Sequence, residues 1–200
     1  MNFPLDCRPV VIAIAGPNGA GKTTFYFSHI QVSGLRFVNA DVLARELSVD
    51  PYTAARIADS MRREFIAQRE SFAFETVFSD PIGEKLDFLN QAVEAGYNVI
   101  LCFIGIASSA VSEQRVAMRI SQGGHDVPSV KLVDRFPRTL ANLKSALLRL
   151  PKVWVFDNSD LRTPFRLVAV SENGAMKTIN KPLPKWLKTL LPEEANRRSK

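Results

Sequence analysis

The chain has 200 residues, 46% hydrophobic and 23% charged, enough for one globular domain with a substantial core and unlike a disordered or low-complexity protein. Its two cysteines, Cys7 and Cys102, do not make a disulfide framework, and no apolar run approaches the roughly 20 residues of a membrane span. The net charge of +6 is uneven, with 14 Lys/Arg and 15 Asp/Glu in residues 1–143 (net −1) against 12 and 5 in residues 144–200 (net +7). A basic quarter of this kind reads either as a nucleic-acid or acidic-lipid surface or as a solvated helix and tail; the scatter of its Lys/Arg favours the second and disfavours a nucleic-acid partner. The N-terminus lacks the basic segment and cleavage pattern of a signal peptide, so a cytoplasmic protein with no membrane partner is expected.

Pro9 to Ala15 reads as a buried first strand and runs into Gly16-Pro17-Asn18-Gly19-Ala20-Gly21-Lys22-Thr23-Thr24. This fits the pattern of a glycine, four residues and Gly-Lys-Ser/Thr, in the strand-loop-helix setting that the pattern requires. Glycines let consecutive N–H groups turn inward, and the helix that starts at the loop adds the positive end of its dipole, so the loop holds polyphosphate. Lys22 reaches the outer phosphates. The Thr23 hydroxyl completes the shell of a Mg²⁺ ion whose other ligands are phosphate oxygens and water. ATP and Mg²⁺ are therefore the expected cofactors.

The helix after the loop is expected to end near His29 to Ser33, with Gly34 as its stop. Leu35 to Val38 is a short second strand, followed by Asn39-Ala40-Asp41 and a helix from Val42 to Leu47; Asn39 or Asp41 also suits an N-cap. Asp50-Pro51 starts a long amphipathic helix to Glu70. Ser71 to Phe74 is the third strand, running into Glu75-Thr76. Ile82 to Ala95 is helical with Gly96 as its cap, and Tyr97 to Ile106 is a second buried strand. Two helices, Ser112 to Ser121 and Val130 to Leu150, flank Gln122 to Pro128 and carry Arg115, Arg119, Lys131, Arg135 and Arg138, where kinases of this architecture place a lid. Val153 to Asp157 ends the parallel core. Phe165 to Val170 and Ala175 to Ile179 form an antiparallel hairpin about an Asn-Gly turn, and a helix from Leu183 to Leu191 and a polar tail from Glu193 close the chain.

Alternation of strand and helix predicts an α/β sandwich of three layers with a five-stranded, mainly parallel sheet. Residues 1–160 make the core, with a lid at about 108–140, and residues 161–200 add the hairpin, helix and tail to the same domain. Ligands of open α/β sheets gather at the carboxyl ends of the strands. Three such ends bear chemistry: the loop, Asn39 to Asp41, and Glu75-Thr76. A phosphoryl acceptor needs a carboxylate near its hydroxyl to take the proton. Asp41 is the first choice for that base, with Glu75, Asn39 and Thr76 gripping the acceptor; exchanged roles for Asp41 and Glu75 stay open. His125 is a turn or lid-positioning residue rather than a metal ligand, since His29 is the only other histidine.

With these residues in view, the chain resembles the zeta-toxin family of P-loop kinases, which includes UDP-N-acetylglucosamine kinases. The resemblance rests on Gly16 to Thr23, Phe37-Val38-Asn39-Ala40-Asp41, Phe74-Glu75-Thr76, and Arg119 with Gly123-Gly124-His125-Asp126-Val127-Pro128 and Arg135. It covers roughly residues 9–160. It implies that Asp41 deprotonates a sugar hydroxyl, that Glu75 helps to hold the substrate, and that Arg119 and Arg135 stabilise the transferring phosphate, with Arg115 and Arg138 as the nearest competitors. Toxins of this group carry extra sequence before the first strand and are held by an antitoxin. Only eight residues precede that strand here, so a stand-alone kinase without an antitoxin partner is expected. Asp157 and Asn158 read either as structural or as lying beside the adenine. The expected activity is transfer of the γ-phosphate of ATP to a hydroxyl of a small-molecule acceptor, such as a nucleotide sugar. The alternatives are a nucleoside or nucleotide kinase and an ATP-switched nucleic-acid-binding module.

Overall fold

The computed structural model describes residues 8–121 and 128–191. Cys7, residues 122–127 with His125, and residues 192–200 lie outside them.

Five apolar runs become parallel strands: β1 (Val10–Ala15), β2 (Arg36–Val38), β3 (Phe72–Thr76), β4 (Asn98–Gly105) and β5 (Lys152–Asp157). The hairpin strands β6 (Arg166–Glu172) and β7 (Ala175–Ile179) extend the same sheet antiparallel from β5, so its order is β2-β3-β1-β4-β5-β6-β7, seven strands in all. The hairpin is thus continuous with the core instead of standing beside it, because Arg166 to Glu172 pair along the whole of β5.

Side chains alternate across the sheet, as the period of two requires. Val11, Ala13, Phe72, Phe74, Leu101, Phe103 and Val153 face one layer, built by α3 (Pro51–Ala67), α4 (Glu84–Glu94), α6 (Ser129–Arg149) and α7 (Lys185–Lys188). Ile12, Ile14, Ala73, Ile100, Cys102, Ile104 and Phe156 face the other, where Phe25, Tyr26 and Ile30 pack. Both faces of β1 and β4 are covered, which is why these strands read as unbroken apolar runs.

Capping residues fix where the helices begin. Asn39 caps α2 (Ala40–Glu46) by accepting from Asp41 N and Val42 N, so the helix starts two residues before the expected Val42. Asp50 does the same for α3, with Pro51 at the first position. After the loop, α1 (Lys22–Phe25) continues as a π-turn over Tyr26–Ile30 and a 3₁₀ turn over Gln31–Ser33, stopping at Gly34 with φ 68°. The helix expected over Leu183 to Leu191 is a single turn, α7. No helix among the described residues is long and apolar enough to cross a membrane.

Candidate active site

Gly16 to Thr23 leaves the carboxyl end of β1 and curls over the start of α1. Gly16 has φ 145°, and a Cβ there would stand 2.2 Å from Ile104 O in β4; Gly21 has φ 88°, and a Cβ there would stand 2.8 Å from Asn158 Nδ2. Neither position accepts a side chain. The loop's carbonyls are tied outward. Ser112 Oγ of α5 (Ser109–Ser121) donates to Asn18 O at 2.7 Å, Arg115 to Gly19 O at 3.5 Å, and Asn158 Nδ2 to Ala20 O at 2.8 Å. Arg115 also donates to Asn158 O at 2.8 Å and Ser159 O at 3.2 Å. Ala20 N donates to Pro17 O at 3.2 Å within the loop; carbonyls held outward leave its other N–H groups for a ligand.

Lys22 is buried; its Nζ donates to Pro17 O at 3.0 Å and lies 3.7 Å from Glu75 Oε1. Burial pushes its ammonium below the usual lysine range; the carboxylates of Glu75 and Asp41 oppose that shift and Arg119 adds to it. Lys22, Glu75, Asp41 and Arg119 therefore share one electrostatic neighbourhood. Thr23 Oγ1 donates to Glu75 Oε2 at 2.7 Å, and Asn39 Nδ2 donates to the same oxygen at 2.8 Å. An alcohol and a carboxylate are the hard oxygen ligands that Mg²⁺ takes, so the residues present fit that ion. No cluster of three or more His, Cys, Asp or Glu that could hold a metal occurs among the described residues; an ion at Thr23 would need phosphate oxygens to complete its shell.

Next to this group lies a cavity of about 430 Å³ whose walls include Asn39, Asp41, Glu75, Thr76, Asp80, Arg62, Lys85, Arg135 and Arg138. Its shape depends on the segment after β3. Thr76 Oγ1 accepts from Phe78 N at 3.1 Å, and Phe78, fully buried, has φ 61°, a conformation that costs roughly 1–2 kcal/mol. Two polar side chains of α6 hold that turn. The Thr139 hydroxyl lies 3.1 Å from Val77 O, and Asn142 Nδ2 stands 3.0 Å from both Phe78 O and Asp80 O.

Two charged groups line the cavity with capacity to spare. Both carboxylate oxygens of Asp80, and Nε of the buried Arg62, are out of water without a hydrogen-bond partner among the described residues. The Arg62 guanidinium lies over the Phe74 and Phe88 rings at 5.0 and 5.7 Å and donates to Asp59 at 2.7 Å. Desolvation works to raise the Asp59 pKa, but hydrogen bonds from Arg63 and Arg62 and the charge of Lys85 outweigh it and hold the carboxyl at about 2. Buried polar groups are almost always satisfied, so Asp80 and Arg62 are candidates for a contact with water or a polar ligand.

The structure thus brings together Lys22, Thr23, Asn39, Asp41, Glu75, Thr76 and Arg135, with the charge of Arg119 felt at Lys22 and Arg138 on the cavity wall. Thr24 is exposed, and its carbonyl accepts from Ser28 Oγ at 2.8 Å. Arg115 is spent on the loop's outer backbone. Asp157 accepts from Ser159 and Trp186 Nε1 (3.0 Å) and lies 3.6 Å from Arg166, and Asn158 buttresses the phosphate loop. Sequence reasoning missed Arg62, Asp80, Thr139 and Asn142. Arg62 carried a signal: it falls between Ala58 and Phe65 on the apolar stripe of α3, where a charge needs a reason.

No protein-family model matches the chain, and no curated protein does. Among solved structures, it aligns with a chain of the AvrRxo1-ORF1:AvrRxo1-ORF2 complex with sulphate ions at TM-score 0.72 and 18% identity, over 92% of this chain and 64% of that one. The same complex with ATP gives TM-score 0.70 and 19% identity, over 87% and 61%. A chain of the PezAT chromosomal toxin–antitoxin system of Streptococcus pneumoniae gives TM-score 0.58 and 14% identity, over 93% and 78%. The chain shares its fold with these chains. It spans under two thirds of the length of the AvrRxo1 chains. One expectation is overturned. The short segment before β1 leads the sequence to predict no antitoxin partner, but the matched structures are two-component complexes and a toxin–antitoxin system. The alignments cover 92%, 87% and 93% of this chain, so a short segment before β1 does not set it apart from those structures.

Proposed function

We propose that the chain is an ATP-dependent phosphotransferase that moves the γ-phosphate to a hydroxyl of a small molecule seated in the cavity beside Asp41. The observation that carries this reading is the shared carboxylate: Glu75 lines the cavity and also contacts Lys22 and Thr23 of the phosphate loop. A donor on the loop and an acceptor in the cavity would then meet at one place. The loop's N–H groups and Lys22 bind and orient the triphosphate. Asp41, exposed at the first turn of α2, takes the proton of the acceptor hydroxyl as its oxygen bonds to the γ-phosphorus and the bond to the β-phosphate oxygen breaks, releasing ADP. Mg²⁺, held by Thr23 and the nucleotide, would neutralise charge on the phosphates. Arg119 and Arg135 stabilise the charge that spreads over the transferring group, with Arg138 as a second candidate on the wall.

Asp80 and the cations Arg62, Lys85, Arg135 and Arg138 suit an acceptor that offers hydroxyls or amides together with negative charge, as a nucleotide sugar such as UDP-N-acetylglucosamine does. Release of ADP is measured against a panel of UDP-sugars, nucleosides and nucleotides. Acceptor-dependent ADP release, with a product heavier by one phosphoryl group, is expected. ATP hydrolysis that no acceptor stimulates would refute transfer, and a response confined to nucleosides or nucleotides would favour the nucleoside or nucleotide kinase.

The likeness to the two-component assemblies favours a second reading on the same chemistry, the toxin half of a pair. Induced expression in a bacterial host should then arrest growth, and Lys22→Ala should relieve the arrest. Unimpaired growth would remove it.

A further inference from the structure

Strand order puts Glu75 between the two halves of the site. β3 lies between β2 and β1, with Ile14 opposite Glu75 and Val38, the last residue of β2, opposite Phe74. The residues that follow β1 form the phosphate loop, and the residue that follows β2 is Asn39. One carboxylate therefore reaches both. Its Oε2 accepts from Thr23 and from Asn39, and its Oε1 stands 3.7 Å from Lys22. Asn39 in turn holds the backbone N–H groups of Asp41 and Val42 through its other amide atom, at 2.8 and 3.3 Å. With 13% of its side chain exposed, Glu75 is poorly screened by solvent.

A carboxylate held against the lysine and threonine of a polyphosphate site is an anion where anions must enter. A metal-free triphosphate meets it as a like charge and competes with it for Lys22. A divalent cation reverses the sign of that meeting, because the same carboxylate can then accept from the ion's water or ligate it. We infer that Glu75 makes triphosphate binding depend on Mg²⁺ and, through Asn39, ties the loading of the phosphate loop to the position of Asp41. This rests on the reading of Gly16 to Thr23 as a triphosphate site, and it assigns Glu75 to the donor rather than to the grip on the acceptor. Asn39 is a positioning residue in the scheme.

Calorimetry with the non-hydrolysable analogue AMP-PNP, in excess Mg²⁺ and in EDTA, tests it on the wild-type chain and on Glu75→Gln. Glutamine keeps the shape and an oxygen acceptor for Thr23 and Asn39 but removes the charge. The wild-type chain should bind at least about tenfold more weakly in EDTA than in Mg²⁺; two unit charges roughly 5 Å apart at an effective dielectric near 20 support a repulsion of that size or more. Glu75→Gln should bind more tightly than wild type in EDTA and narrow the ratio to about threefold or less. Equal ratios in the two proteins overturn the inference. So does a wild-type chain that binds equally in both conditions, a result that needs no variant. Binding in neither condition would sink the triphosphate reading as well, whereas metal-independent binding would sink the role of Glu75 alone. Hydrogen exchange at the Asp41 and Val42 amides reads the link through Asn39. Addition of Mg²⁺ and AMP-PNP should change their protection severalfold in wild type and less in Glu75→Gln, and unchanged protection in wild type would break the link.

Discussion

The glycine-rich loop and the cavity beside Asp41 are neighbours built on opposite plans. The carbonyls of residues 17–20 are all engaged, by Lys22, Ser112, Arg115 and Asn158, so the loop is set before any nucleotide arrives. In the cavity wall, the Asp80 carboxylate and Arg62 Nε are buried without a hydrogen-bond partner among the described residues. One region spends its polar groups on its own rigidity, and the other holds them back. On the proposed function, the difference would separate recognition of the donor, mostly by backbone, from recognition of the acceptor, by particular side chains.

Substitutions on the two sides should therefore fail differently. Lys22→Ala removes the buried cation of the donor side and should lower nucleotide-dependent turnover by more than about 10²-fold, measured by coupled ADP release. Normal turnover would place the donor elsewhere. Asp80→Asn replaces a carboxylate by an amide of the same shape and should raise the KM for a responsive acceptor about tenfold, leaving AMP-PNP affinity unchanged. A loss of nucleotide affinity in that variant would erase the distinction between the regions. Asn142→Ala frees the Phe78 and Asp80 carbonyls and should lower stability by about 1–2 kcal/mol, seen as a drop of roughly 3–6 °C in Tm. An unchanged Tm would mean that the turn over 77–80 holds itself.

Much of the donor side was legible in the sequence because its signals are local. The loop pattern, the apolar runs of β1 and β4, the Asn39 cap and Asp50-Pro51 each act within a few residues of where they are read. The five parallel strands followed from alternation. The cavity is assembled from distant segments. Thr139 and Asn142 act on a turn some 62 to 64 residues earlier in the chain, and nothing in a single sequence marks which polar residues of a 21-residue helix face inward. The placement of Glu75 against Thr23 depends on strand order, which alternation leaves open. Among the arginines, Arg115 and Arg119 are one turn apart on α5, yet Arg115 ends on the backbone of the loop and Arg119 in the neighbourhood of Lys22. Spacing alone does not choose between them.

The central claim is that donor and acceptor meet between the phosphate loop and Asp41. It is tested most directly by pairing two measurements on Asp41→Asn: AMP-PNP affinity by calorimetry, and acceptor-dependent ADP release with an acceptor that the wild-type chain phosphorylates. AMP-PNP affinity within about twofold of wild type, together with transfer reduced by about 10²- to 10⁴-fold, is the predicted result. Transfer at the wild-type rate would contradict the claim, and loss of AMP-PNP binding would place Asp41 on the donor instead.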